Sequence, residues 1–160
     1  MPLTLSSSAF GQHGEIPKEH TCDGADTPPP LEWRDVPDGT KSLALIVDDP
    51  DAPDPKAPTR TYVHWVLYDI SPTTTALGPD HRAPAGAHEG TNDWKNRGYG
   101  GPCPPIGRHR YFFKLYALDA MLGELATPTK GALEQAMRGH VLEQAELVGT
   151  YERAKGDQKS

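Results

Sequence analysis

The sequence predicts a mostly β protein with antiparallel sheets, and three observations carry that prediction. Short apolar runs rich in β-branched and aromatic residues outnumber segments with helical periodicity. Neither strand–helix–strand alternation nor an internal repeat appears, so a parallel sheet covered by crossover helices has no support. The 17 Pro and 16 Gly are spread between the apolar runs, which reads as turns and loops on a rigid body rather than disorder. At 160 residues the chain is long enough to bury one core, and residues 1–160 read as a single loop-rich domain.

Each element follows from its local pattern. Leu3 to Phe10 alternates loosely and fits an opening strand. Lys41 to Val47 is a short run whose β-branched content favours a buried strand, with a stop at Asp48-Asp49-Pro50. Tyr62 to Ile70 has the strongest strand character, and Arg110 to Leu118 follows it. Pro72 to Arg108 holds almost no apolar periodicity. A stretch of that length is functional or disordered, and Trp94, Tyr99 and the rigid Gly100-Gly101-Pro102-Cys103-Pro104-Pro105 point to a shaped surface. One helix is expected, capped by Thr129, with Ala132, Leu133, Ala136 and Met137 on one face and an end near Gly139. Ala145 to Tyr151 fits a continued helix or a last strand, and Gly149-Thr150-Tyr151 favours the strand.

Charge and targeting narrow the function classes. The formal net charge of −6 argues against a broad nucleic-acid or anionic-membrane footprint. The basic clusters Arg108-His109-Arg110 and Lys95-Asn96-Arg97 are short, so anion binding is expected to be local. No apolar stretch has transmembrane length, and the first residues lack the charged and apolar regions of a secretion signal. The expectation is a cytoplasmic protein without membrane insertion. Cys22 and Cys103 lack metal-finger spacing. Paired cytoplasmic cysteines are ordinarily reduced and independent, yet both lie in Gly/Pro-rich loops, which leaves a mutual disulfide open. A homodimer is also left open.

Polar residues concentrate in three places: Asp48-Asp49-Pro50-Asp51-Ala52-Pro53, His64-Trp65, and Gly107-Arg108-His109-Arg110-Tyr111. Taken singly, each has an ordinary structural explanation. His64 on an apolar strand needs a partner, such as the carboxylate of Asp49. The Asp-Pro-Asp segment fits a turn, and Arg110 fits a structural partner for Asp51.

Together they are more specific. Asp49-Pro50-Asp51-Ala52-Pro53 and Gly107-Arg108-His109-Arg110-Tyr111 resemble the two signature motifs of the phosphatidylethanolamine-binding protein family. His64-Trp65 falls where that family carries its first pocket histidine. Thr21-Cys22-Asp23-Gly24, Pro29-Pro30-Leu31-Glu32-Trp33, Gly39-Thr40-Lys41-Ser42 and Gly98 to Pro105 resemble its bacterial and archaeal, Raf kinase inhibitor-like branch. The resemblance implies a two-sheet antiparallel β-fold with a few short helices. It further implies a pocket for phosphate, a carboxylate or a phosphoethanolamine headgroup. Its residues would be Asp49, His64, His109 and Tyr111, with Asp51 and Pro50 from the same motif, Tyr62 at the rim, and Gly101 within a wall formed by Gly100 to Pro105.

In that set, two imidazoles and a phenol would donate hydrogen bonds to an anion. Asp49 would orient the histidines, take a proton that a monohydrogen phosphate carries, or receive an ethanolamine ammonium. Eukaryotic relatives carry a C-terminal helix beside the mouth, whereas Glu152 to Ser160 here lack an apolar face, so a more open mouth is expected. The reading is a non-catalytic binding protein without cofactor, with a kinase or protease as a further candidate partner. The alternative is a hydrolase or metal-dependent enzyme using the Asp/His/His set. No Gly-x-Ser-x-Gly elbow, His-Glu-x-x-His or phosphate-cradling glycine loop supports it.

Overall fold

The computed structural model describes residues 2–78 and 83–154. Its strands are β1 (Thr4–Ser6), β2 (Gly14–Glu15), β3 (Leu31–Arg34), β4 (Ser42–Ala52), β5 (Arg60–Ile70), β6 (Ala76–Leu77), β7 (His88–Glu89), β8 (His109–Leu118) and β9 (Val141–Tyr151). One α-helix, α1 (Lys130–Met137), and a 3-10 turn at Lys18–His20 complete the regular elements. The opening strand is shorter than its alternation suggests, and β9 begins four residues before Ala145.

A six-stranded sheet runs β2-β9-β8-β4-β5-β7, and a three-stranded sheet runs β1-β3-β6. Their pairings are antiparallel except one. β2 lies parallel to β9, pairing Gly14 with Gly149 and Glu15 with Thr150, so the larger sheet is mixed. The two-sheet, mostly antiparallel β-fold is as expected, with this parallel edge as the exception. No helix among the described residues is long and apolar enough to cross a membrane.

β4 and β5 are buried on both faces over most of their length, which is why Leu43–Val47 and Val63–Ile70 read as nearly continuous apolar runs, whereas β8 alternates between buried and more exposed residues. Leu5, Leu31, Trp33 and Leu77 of the small sheet pack against Leu43, Leu45, Val47, Trp65, Leu67, Phe113 and Leu115 of the large one. The opposite face buries Ala44, Ile46, Val63, Val66 and Tyr68 beneath Leu133 and Met137 of α1. Thr129 caps that helix as expected, its hydroxyl accepting from the Ala132 amide at 3.2 Å. The helix ends before Gly139, whose φ of +80° is available to glycine at little cost.

The proline stop after Val47 does not occur. β4 continues through Asp48, Asp49, Pro50 and Asp51 to Ala52. Its register against β5 shifts between Asp49↔Tyr62 and Ala52↔Arg60, so three steps on β4 span two on β5. Proline fits such a bulge because no ladder hydrogen bond is required of its nitrogen.

Cys22 and Cys103 form a disulfide with a Cα–Cα distance of 5.4 Å. The bond ties the loop after the 3-10 turn to the long segment before β8. That segment is not wholly irregular: it holds β6, β7 and an isolated bridge between Thr91 and Arg97.

Candidate functional site

At one end of the large sheet, β4, β5 and β8 bring Asp49, His64, His109 and Tyr111 around a cavity of about 400 Å³. The alternation of β8 puts His109, Tyr111 and Phe113 on one face, and Arg110, Phe112 and Lys114 on the other. Asp49 shares the His109 face because it follows Leu43, Leu45 and Val47 at every second position of β4.

His64 reaches the same face by a different device. Val47 pairs with Trp65, but the next residue, Asp48, pairs with Val63. His64 is therefore the extra residue of a β-bulge, and it points to the side Trp65 occupies rather than away from it. Its imidazole sits among aromatic rings, with centroids 5.5 Å from Tyr62, 5.0 Å from Trp94 and 5.2 Å from Tyr111.

The hydrogen bonds separate the two histidines. Nδ1 of His109 lies 2.5 Å from Oδ2 of Asp49, and its Nε2 lies 2.9 Å from the Ile106 carbonyl. The Ile106 carbonyl only accepts, so Nε2 carries a proton, and the Asp49 carboxyl opposite Nδ1 favours the imidazolium form. Burial opposes that charge, but the Asp49 carboxylate and the Ile106 carbonyl outweigh it and raise the pKa above the ordinary 6.5. Gly107, at φ +75°, turns the chain so that the Ile106 carbonyl can face back onto the ring. His109 thus has no nitrogen left for a ligand, which corrects the picture of two imidazoles donating to one anion.

His64 is the reverse. Nδ1 donates to the Gly100 carbonyl at 2.7 Å, and the Gly100 amide returns a bond to the His64 carbonyl at 2.9 Å. The partner is this loop carbonyl and not Asp49. Burial pushes the His64 pKa below 6.5, only partly offset by the Gly100 carbonyl and the charges of Asp49, Asp48 and Asp93. The ring is therefore neutral near pH 7, with an unprotonated Nε2 available as acceptor.

Asp49 is fully engaged. Oδ2 holds His109, and Oδ1 accepts from the Asp51 amide at 2.7 Å. The Tyr111 hydroxyl is buried and has no partner among the described residues. Burial, then Asp49, raise its pKa well above 10, so it remains a neutral donor. The Trp65 indole nitrogen is likewise buried without a partner, but Trp65 does not line the cavity.

The other expected residues divide. Tyr62 lines the cavity, half-buried, with the Arg60 guanidinium 4.8 Å above its ring. Pro50 and Asp51 do not line it. Asp51 instead holds Arg110 through bonds of 2.8 and 3.0 Å from its guanidinium, as the structural pairing anticipates, and these bonds keep the carboxyl below its usual pKa. Gly101 lies in an adjoining polar cavity of about 280 Å³, where its amide donates to Asp26. A Cβ there would collide with Asp26 and the His20 carbonyl, so glycine is required for close approach. The wall facing His109 and Tyr111 is built instead by Cys103, Pro104 and Pro105.

Two further groups at the mouth escape sequence reasoning. Arg60 pairs with Asp93 at 2.9 Å, and Arg153 forks onto Asp23, which also accepts from the Tyr151 hydroxyl. Arg153 is the only residue of the polar tail seen at the cavity, and residues 155–160 lie outside those described. A guanidinium beside a motif histidine would have been the signal for Arg60, four residues before His64. Nothing local marks Arg153. Among the described residues, no group of three His, Cys, Asp or Glu side chains is arranged to hold a metal ion.

The comparisons with known proteins agree with this architecture. The family model described as phosphatidylethanolamine-binding protein matches residues 6–152. The UPF0098 protein of Methanothermobacter thermautotrophicus is 48% identical over 155 residues, covering 94% of this chain and 99% of that protein. A phosphatidylethanolamine-binding protein homolog of Chlamydia trachomatis superposes with a TM-score of 0.88 at 42% identity, covering 96% of this chain and 99% of that one. Escherichia coli YbcL superposes with a TM-score of 0.85 at 30% identity, covering 96% and 100%. On sequence and on fold, this chain belongs to the phosphatidylethanolamine-binding protein family.

Proposed function

We propose that this protein is a single-domain, non-catalytic binding protein whose cavity takes a small oxyanion: phosphate, a carboxylate or a phosphoethanolamine-type headgroup. One observation carries the reading. The His64 Nε2 and the Tyr111 hydroxyl, both without protein partners among the described residues, belong to rings lining the same cavity. A buried polar group without a partner costs about 1–3 kcal/mol, which a ligand atom would recover.

The enzyme alternative has less support. Acid–base work needs groups free to exchange protons with a substrate, and Asp49 and His109 are consumed by each other and by backbone. His64 alone remains, with no nucleophile bonded to it. Regulation of a kinase or protease is a secondary reading, favoured by Trp94, which is 41% exposed and stands at the cavity mouth.

Isothermal titration with phosphate, acetate and phosphoethanolamine tests the principal reading. Binding at millimolar ligand or tighter, abolished by Tyr111→Phe combined with His64→Phe in a folded variant, is expected. Absence of heat with every one of these ligands would remove it.

A further inference from the structure

Each cation that lines the cavity already has an acidic partner. His109 is paired with Asp49, Arg60 with Asp93 and Arg153 with Asp23. His64 presents a lone pair rather than a proton at Nε2. Pro53, Pro104 and Pro105 contribute no amide N–H to the wall. Among the described residues that line the cavity, the Tyr111 hydroxyl is therefore the buried donor without a partner, and it shares the cavity with the acceptor nitrogen of the buried His64 ring. A bare anion seated at the buried inner end, against Tyr111 and His64, would leave its charge poorly compensated, at substantial cost.

We propose that the cavity binds its anion together with one proton, shared between a ligand oxygen and Nε2 of His64, while Tyr111 donates to a second oxygen. This rests on the reading of the cavity as an oxyanion site and adds the form of ligand it selects. An anion basic enough to carry the proton suits the site, and a phosphomonoester, with a second pKa of about 6, qualifies. A phosphodiester is far less basic and has no O–H to offer the lone pair.

Charged and titratable groups face His64 from several packed elements. Asp48 and Asp49 come from β4, Tyr62 from β5, Tyr111 and His109 from β8, and Asp93 from the loop between β7 and β8. Asp48 is held by Lys114 and Lys130, and Asp93 by Arg60. None of these pairings supplies the missing proton.

Below about pH 6 the phosphomonoester monoanion brings its own hydrogen to Nε2. At pH 8 the dianion enters with one proton drawn from buffer.

Titration calorimetry of the intact protein with phosphoethanolamine and with dimethyl phosphate, at pH 5.5, 7 and 8.5, provides the test. Repeating it at pH 8.5 in two buffers of different ionisation heat counts protons. Expected results are uptake of about one proton per phosphoethanolamine at pH 8.5 and an affinity falling about tenfold per pH unit above neutrality. Dimethyl phosphate should bind at least about tenfold more weakly at pH 5.5. Phosphoethanolamine binding without proton uptake, or dimethyl phosphate binding equally well, overturns the proposal and leaves the oxyanion reading intact. No binding of either ligand, or of inorganic phosphate, at any pH removes both.

Discussion

Asp48 and Asp49 are neighbours on one strand, equally buried, and the sheet sends them to opposite faces. Asp48 points toward α1, where Lys114 reaches it at 3.3 Å and Lys130 at 2.7 Å. Asp49 points into the cavity and meets the rigid ring of His109. The lysine heads stay about one-fifth exposed on flexible stems, so the helix-side carboxylate is sealed by cations that keep contact with water. His109 is buried and bonded at both nitrogens. One face thus uses a carboxylate to close the structure, and the other uses one to build a preformed, neutral wall beside an open cavity.

The largest effect expected on the cavity side comes from its disulfide. A Cys22→Ser, Cys103→Ser double variant loses a crosslink spanning 81 residues, worth about 4 kcal/mol by chain entropy. Denaturant unfolding measures it, and a change below about 1 kcal/mol would mean the loop bonds suffice to hold the wall.

The two carboxylates can then be compared directly. Asp49→Asn leaves a buried imidazolium without its partner and should cost about 3 kcal/mol. Asp48→Asn frees two lysines that can turn to solvent and should cost about 1 kcal/mol. Equal costs in urea unfolding would erase the distinction between the faces. A Thr129→Ala change acts only on the helix side. It should lower stability by about 1 kcal/mol and leave phosphate affinity unchanged, so altered titration heat would show that the faces communicate.

The smallest effect is a pH dependence whose sign separates the histidines. His109 has a raised folded pKa, so its contribution is complete below 6.5 and is lost as pH rises through the folded value. His64 has a lowered one, so its contribution is present above 6.5 and is lost as pH falls from there. Stability measured from pH 5 to 8.5 should therefore decline on both sides. His64→Gln should remove the acid limb and Asp49→Asn the alkaline limb.

Much of the framework was legible locally. The runs at Lys41, Tyr62 and Arg110 became β4, β5 and β8, because β-branched and aromatic residues in short, turn-bounded stretches have few other ways to be buried. The Thr129 cap and the Gly139 stop were readable from residue type alone. Strand alternation also places Asp49, His109 and Tyr111 on shared faces once the pairing of β4 with β8 is known. The pairing itself is a long-range fact. So are the bulge at His64, the parallel β2–β9 edge and the passage of β4 through Pro50, each depending on a partner strand that leaves no mark nearby.

The same boundary runs through the site. By themselves, the residues determined a mostly β chain of the phosphatidylethanolamine-binding protein family and the chemical kinds of group at its polar motifs. Only the tertiary structure decided which histidine is spent and which is free. A ring nitrogen's role is set by the atom opposite it, and those atoms, the Asp49 carboxylate, the Ile106 carbonyl and the Gly100 carbonyl, are delivered by chain packing rather than by neighbours in sequence.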